Sequence, residues 1–182
     1  MDLDNLTLVD DNHPLLQQTL PKFDFANPPA DPIEIAHALT REMIRHKGLG
    51  LSANQLGLPV RAFAMATNPV IVCFNPVLVD VSSEEILLDE GCLSYPNLFV
   101  KIPRPSFIKV RYTLPNGQTD TYKYTGMTAR IWLHEFDHME GIDFLTRAKP
   151  VAQKMARSKW KKNGKVWKQM QKMRAQFAPK EK

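Results

Sequence analysis

Two histidines stand four positions apart in LHEFDHMEG, residues 133–141. In a helix, residues four apart lie one turn apart on the same face, so His134 and His138 can direct two imidazoles at one metal ion. Glu135 then lies beside that ion without binding it, where a general base is needed. The pattern predicts a hydrolytic metal site, and the competing interpretation is a solvated helix face with incidental histidines.

The third protein ligand decides the class of hydrolase, because catalytic metal sites typically use three protein ligands and keep one position open. A later Glu or a further His would indicate a peptidase. No His follows His138, however, and Glu140 and Asp143 lie too close along the chain to swing back easily. Cys92 in DEGCLSYP is the attractive alternative, since a thiolate is a strong ligand for iron(II) or zinc. Cys73, in the apolar run VIVCF, is expected to be a small buried residue.

Three separated blocks resemble the three signature motifs of the peptide deformylase family. They are GLGLSANQ at 48–55, EGCLS at 90–94 and HEFDH at 134–138, and their order and spacing match. The resemblance runs from about Val9 to Arg147. It implies a hydrolase that removes the formyl group from the N-terminal formylmethionine of nascent polypeptides and releases formate.

The resemblance also assigns the metal site. Cys92, His134 and His138 would bind one divalent metal ion, Fe²⁺ in the native family state, with Zn²⁺, Ni²⁺ or Co²⁺ able to substitute. Water would complete the site as the nucleophile. Glu135 would take a proton from that water and later deliver one to the departing amine.

For the substrate, the family implies two donors aimed at the formyl oxygen. These are the side-chain amide of Gln55 and the backbone N–H of Leu93. The substrate main chain would pair with the backbone near the glycines like an added strand, and its first side chain would enter an apolar pocket. For the apolar members of this set, the alternative is ordinary core. The residues expected to bind substrate are Leu49, Gly50, Gly91, Met127 and Ile131.

Two carboxylates and five departures from the family pattern complete the site prediction. Asp137 is expected to hydrogen-bond to a metal ligand without binding the metal itself, and Glu90 is expected to anchor the loop carrying Cys92. The alternative for either residue is a solvated surface carboxylate. The departures remove no ligand, acid–base group or oxyanion donor, but they leave the contacts beyond the first substrate residue and the packing at the helix end open. They are Ser52, Tyr95, Asn97, Leu133 and Asp143.

The elements that must position these residues predict an α+β fold. DPIEIAHALTREMIRHKG predicts a helix over about 32–47, with Asp31 as N-cap and Gly48 as the stop. The β-rich runs VRAFAMAT, VIVCFNPVLVD and EEILLDEG follow, and Asn116-Gly117 predicts a hairpin. Helical spacing returns from Thr128 to about Met139, and KKNGK is expected to separate two basic helical stretches. We expect mostly antiparallel β-sheets packed around a central helix carrying HExxH, with a C-terminal basic helix.

Charge divides the chain in two. Residues 1–146 hold 11 Lys/Arg and 18 Asp/Glu, a net −7, whereas residues 147–182 hold 13 basic residues and one acidic residue, a net +12. We therefore predict a catalytic domain over 1–147 and a basic helical extension over 148–182. The extension is expected to dock on ribosomal RNA, as the basic terminal helix of similar bacterial enzymes does; the alternatives are a helix packed on the body and a helix on a membrane surface. Its apolar stripe would be formed by Val166, Met170, Met173 and Phe177.

The remaining composition predicts the setting. The acidic start MDLDNLTLVDDN indicates neither a signal nor a transit peptide, and no stretch is apolar for long enough to span a membrane. Two cysteines cannot build a disulfide framework in 182 residues. We expect a cytoplasmic monomer that does not bind membranes. A carboxylate-liganded metallohydrolase and a noncatalytic ribosome- or RNA-binding protein are the alternatives.

Overall fold

The structure is a computed structural model that describes residues 1–176 and the side chains of residues 1–164. The predicted stripe of Val166, Met170, Met173 and Phe177 lies outside the described side chains. Among the described residues, no helix combines the length and the apolar character that crossing a membrane requires.

The first helix, α1, spans Pro32–Arg45. The Asp31 carboxylate accepts a hydrogen bond from the Ile33 N–H at 2.8 Å, as the sequence predicted for the N-cap. The helix ends two residues earlier than expected, because Lys47 already adopts a positive φ of 55°. Its buried face packs into one hydrophobic core, to which Ile35 and Leu39 contribute.

Two antiparallel sheets form the β layer. The larger has the order β1-β2-β3-β6-β7 and the smaller pairs β4 with β5. The predicted hairpin through Asn116-Gly117 is confirmed: it joins β6 to β7, and Gly117 supplies the positive φ of 86° that the turn requires. The strands are β1 (Gly50–Ser52), β2 (Ala62–Met65), β3 (Ile71–Val81), β4 (Glu85–Gly91), β5 (Phe99–Pro105), β6 (Phe107–Thr113) and β7 (Thr119–Thr125).

The central helix, α2, spans Gly126–Met139 and carries the HEFDH motif. Ala129 and Trp132 are fully buried in a second hydrophobic core, which also contains Phe63 of β2 and Val110 of β6. Because this face of α2 packs against the large sheet, the orientation of the opposite face, which carries His134 and His138, is fixed. The predicted α+β architecture around an HExxH helix is confirmed.

The last helix, α3, runs without interruption through Pro150–Gln176, so the expectation that KKNGK separates two helical stretches is wrong. A glycine inside a helix costs only about 1 kcal/mol relative to alanine, and Gly164 has open space around it. Ala156 is buried in a third hydrophobic cluster, and Trp160 packs against it. The first half of α3 thus belongs to the body, and the functional division at residue 147 stays a prediction.

Candidate metal centre and cleft

Cys92, His134 and His138 lie together in the folded chain. Cys92 directly follows β4, and the two histidines stand one turn apart on α2. Their donor atoms all lie within 4.8 Å of one another, and all three residues are buried. One thiolate and two imidazoles suit iron(II) or zinc, and a single ion could contact all three donors.

The electrostatics of these side chains favour a bound cation. Burial disfavours the Cys92 thiolate, but the neighbouring imidazoles of His138 and His134 outweigh burial and lower the pKa of Cys92 to about 5. Burial also opposes the charged form of His134, yet Cys92 and Glu90 raise its pKa above the ordinary value. Thiolate and imidazolium therefore stabilise each other. A metal cation could take the place of the imidazole protons, which is the usual coupling of metal binding to proton release.

Glu90 fixes the orientation of His134. Its carboxylate lies 2.6 Å from His134 Nδ1, which leaves Nε2 as the donor atom for a metal. Arg104 donates two hydrogen bonds to the same carboxylate and Arg130 a third. Burial opposes ionisation of Glu90, but His134 and Arg104 lower its pKa to about 2. The interpretation of Glu90 as a solvated carboxylate is wrong, since it is 6% exposed.

Asp137 extends this network along α2. It accepts hydrogen bonds from Arg104 at 2.6 Å and from Arg147 at 2.5 Å. It is 2% exposed, so the solvated interpretation is wrong here too. Arg104 thus connects Glu90 of β4, which contacts His134, to Asp137 of α2. The β4–β5 sheet and α2 are held together by these contacts.

Glu135 is buried beside this cluster of candidate metal donors and is held on two sides. Ser52 donates a hydrogen bond to its Oε2 at 2.5 Å. The backbone of Gly50 lies against the same carboxylate, so that a Cβ at that position would overlap Oε1. Burial raises the pKa of Glu135, although His134 and His138 oppose the effect. A carboxylate with a raised pKa is better suited to accept and return a proton.

Gln55 presents its amide group towards Cys92. Its Oε1 accepts a hydrogen bond from the Ser52 N–H at 3.0 Å, which fixes the side chain. Its Nε2 lies 3.1 Å from Ser94 Oγ and 3.4 Å from Cys92 Sγ. Leu93 follows Cys92 and is half-buried beside it. Of the two predicted oxyanion donors, Gln55 therefore lies beside the sulfur, and Leu93 lines the same cleft.

A cleft of about 510 Å³ opens over these groups. Leu49 is 60% exposed and Met127 is 51% exposed, so the interpretation of these two as ordinary core is wrong, whereas Ile131 also packs against the second core. His138 borders a different cavity, of about 390 Å³. The predicted site residues that line the cleft are Leu49, Gly50, Gln55, Gly91, Cys92, Leu93, Met127, Ile131, His134 and Glu135.

Some supporting residues were not predicted as such. Ser52 had been noted only as a departure from the family pattern, and nothing in the local sequence indicates that it contacts Glu135, 83 positions away. Arg104 and Arg130 lie in regular β and helical patterns that predict no partner. The alternative carboxylate ligands have other contacts: Glu140 forms an ion pair with Arg61, and Asp143 accepts a hydrogen bond from Tyr95.

An α+β fold with this donor set and a buried glutamate beside it defines a metal-dependent hydrolase. The sequence model of the polypeptide deformylase family matches residues 5–154. The peptide deformylase of Thermotoga neapolitana is 36% identical over 118 residues, covering 64% of this chain and 72% of the relative. Peptide deformylase 2 of Shewanella oneidensis is 36% identical over 133 residues, with 67% and 74% covered. A solved Plasmodium falciparum peptide deformylase superposes with a TM-score of 0.78 at 28% identity, covering 86% of this chain and 97% of the other.

The chain therefore belongs to the polypeptide deformylase family. Its members are metalloenzymes and hydrolases, and the activity of this chain is removal of the N-formyl group from nascent polypeptides.

Proposed function

We propose that the cleft deformylates N-formylmethionyl peptides with Cys92, His134 and His138 as metal ligands and Glu135 as general base and acid. The observation that carries this assignment is the convergence of three buried donors within 4.8 Å, next to a buried carboxylate, under an open cleft. A divalent metal, when bound there, supplies the Lewis acidity that polarises a carbonyl and lowers the pKa of water. We propose Fe²⁺ as the native ion, supported by the thiolate and imidazole donors, with Zn²⁺, Ni²⁺ or Co²⁺ able to replace it.

Glu135 moves the proton. It accepts a proton from the attacking water and delivers a proton to the amine of the departing methionine. Its burial, which raises the pKa, suits a group that must hold the proton between the two steps. Ser52 restricts the carboxylate to one orientation while this happens, which keeps the acceptor oxygen where the water is needed.

The substrate is held by main-chain contacts and an apolar pocket. Gln55 Nε2 and the Leu93 N–H donate to the formyl oxygen as it gains negative charge. The peptide backbone pairs near Gly50, which begins β1, and Gly91, which ends β4, and both glycines line the cleft. Recognition of this kind reads little of the peptide sequence. Selectivity for methionine then rests on the apolar side chains of Leu49, Met127 and Ile131.

Release of formate from formyl-Met-Ala-Ser by anaerobically purified protein, with metal content measured on the same sample, tests this function. Glu135→Gln should retain the metal while turnover falls at least about hundredfold, because only proton transfer is removed. Asp120→Asn, which also replaces a carboxylate by an amide but at an exposed position of the hairpin, is the matched control and should keep full activity. A fully metallated protein that releases no formate would overturn the function, and metal loss from Glu135→Gln would contradict the assigned role.

The identity of the metal has its own test. An iron(II) site with a thiolate ligand is oxidised in air at the sulfur, so iron-loaded protein should lose activity aerobically. Nickel- or zinc-loaded protein should be more durable. Equal loss for all three metal forms would argue against iron-dependent oxidation. Cys92→Ser should abolish tight binding of each ion if Cys92 is a ligand.

We also propose that the enzyme works in the cytoplasm and docks on the ribosome through its basic C-terminal helix. The net +12 of residues 147–182, against −7 for the body, supports attraction to a polyanion such as ribosomal RNA. All proposed catalytic groups come from one chain, so a monomer is sufficient for activity.

A further inference from the structure

Two of the departures from the family pattern contact each other. The Tyr95 hydroxyl donates a hydrogen bond to Asp143 Oδ2 at 3.1 Å. Arg157, in the second turn of α3, donates to the same oxygen at 3.0 Å. The other oxygen of Asp143 accepts from the Leu145 N–H at 2.9 Å and begins a short 3₁₀ helix, Phe144–Arg147. These two residues and Arg157 therefore form one three-residue contact, Tyr95–Asp143–Arg157.

This contact is directly connected to the metal donors. The Tyr95 N–H donates to the carbonyl of Cys92 at 2.9 Å and closes the turn that carries the thiol. The Tyr95 ring packs against Phe144, with centroids 5.6 Å apart. The Phe144 ring in turn packs against the His134 imidazole at 5.5 Å. Tyr95 thus joins the Cys92 turn to a ring that contacts a second ligand.

Helix α3 holds the outer side of Tyr95. The Trp160 ring packs edge-on against the Tyr95 ring at 5.2 Å, and its indole N–H donates to Asp11 at 2.7 Å. Cys92 and Ala156 of α3 belong to the same buried hydrophobic cluster. The Cys92 turn is therefore enclosed between α2 on one side and the first half of α3 on the other.

We propose that Tyr95, Asp143 and Arg157 are positioning residues, through which the first half of α3 holds the Cys92 turn in the orientation where its thiol meets the two histidines. The proposal rests on the proposed ligand set and goes beyond it, because it assigns α3 a role in the metal centre. Without the contact, the turn can adopt more conformations. A thiolate that is less well oriented binds its ion less tightly.

The test uses full-length protein loaded with Co²⁺, whose absorption reports the cobalt–thiolate bond. Tyr95→Phe removes one oxygen atom, and Asp143→Asn removes the charge that pairs with Arg157 while keeping the shape. Each variant should shift the cobalt–thiolate absorption and release cobalt to excess chelator about fivefold faster, the effect of losing one ordinary hydrogen bond. The double variant should be no faster than Asp143→Asn alone, since both changes remove the same contact.

Lys161→Gln, which removes an exposed positive charge from the same helix, is the matched control and should behave as wild type. Thermal unfolding of the metal-free variants separates positioning from general stability. An unchanged cobalt spectrum, or cobalt release no faster than in Lys161→Gln, would overturn the proposal. A rate of cobalt release that rises only in proportion to the loss of thermal stability would overturn it as well. If Cys92→Ser kept the wild-type spectrum, the ligand set itself would fail, which is a distinct result.

Discussion

At the scale of single residues, the Glu135 carboxylate is confined by a glycine and a serine. Gly50 leaves just enough room for the carboxylate, and Ser52 donates a hydrogen bond to its other oxygen. The side chain is therefore placed by contacts from the other side of the cleft as well as by its own helix. If Glu135 transfers the proton as proposed, small displacements of its carboxylate should carry a large catalytic cost, since proton transfer requires a fixed geometry.

Gly50→Ala should lower kcat by about a hundredfold with little change in metal content, because the added methyl group displaces the Glu135 carboxylate. Steady-state kinetics with a formyl peptide and a metal assay on the same sample measure both quantities. Gly164→Ala is the matched control, because a methyl group there enters open space and favours the helix. An unchanged kcat in Gly50→Ala would show that Glu135 is not confined by this contact.

The clustering of Cys92, His134 and His138 beside Glu135 could be predicted from the sequence, because its signal is local spacing on one helix and one thiol in a glycine-containing turn. The contacts that orient them could not be predicted in the same way, although Glu90 and Asp137 had been expected to play supporting roles. The Ser52 contact with Glu135 joins residues 83 positions apart, and that of Glu90 with His134 joins residues 44 apart. Such contacts depend on how the two sheets meet α2, and no local pattern reports this.

At the scale of elements, α1 contains a buried carboxylate, Glu42, which is 2% exposed. Arg41 and Arg45 each donate a hydrogen bond to it at 3.0 Å. Burial opposes ionisation, but the two arginines hold the pKa of Glu42 below its ordinary value of 4.5. Because both arginines are partly exposed, solvent weakens each pair.

A depressed pKa makes the stability of α1 depend on pH. The Glu42 carboxylate contributes fully to the free energy of unfolding above its unfolded-state pKa, and this contribution is lost as pH falls through the folded-state value. Glu42→Gln should therefore destabilise the protein most at neutral pH, and its difference from wild type should narrow below about pH 4.5. Urea unfolding at several pH values measures this. Glu34→Gln, an exposed carboxylate of the same helix, should show a smaller dependence; a constant difference for Glu42→Gln would contradict the argument.

Helix and strand types could be predicted because periodicity and capping signals are local, as Asp31 and Asn116-Gly117 illustrate. The helix ends are less well predicted, since nothing in the residue type of Lys47 signals the left-handed conformation that it adopts. The failure at KKNGK has a similar cause. A modest propensity cost at Gly164 cannot stop a helix whose preceding turns are anchored by Trp160 and Ala156.

At the scale of the whole molecule, charge and packing divide α3 at different places. The basic region begins at about residue 147, but contacts with the body continue to Trp160. A truncation that tests the basic tail should therefore begin after Gly164. Removal from Pro150 onwards would also remove Arg157 and Trp160, and it would confuse ribosome binding with loss of the metal-site contacts.

Truncation after Gly164 removes 6 Lys/Arg residues. Hydrolysis of short formyl peptides should be nearly unchanged, whereas ribosome co-sedimentation should weaken at least about tenfold. Binding of the full-length protein to ribosomes should fall steeply as the salt concentration rises, because neutralised phosphates release counterions. Sedimentation at two salt concentrations, with peptide hydrolysis as the control, measures all three. Salt-independent binding, or equal co-sedimentation of both proteins, would remove the proposed role of the tail.

The hydrogen bond between Trp160 and Asp11 joins residues that are 149 positions apart. Synthesis proceeds from the N-terminus, so Cys92, His134 and His138 have all been made by residue 138, before Trp160 exists. During synthesis, α3 can therefore cover the Cys92 turn only after the residues of that turn and of α2 have been made. In the interval before Trp160 contacts Asp11, we expect a newly made chain to bind its metal ion most readily. In the same interval its Cys92 thiol should be most easily oxidised.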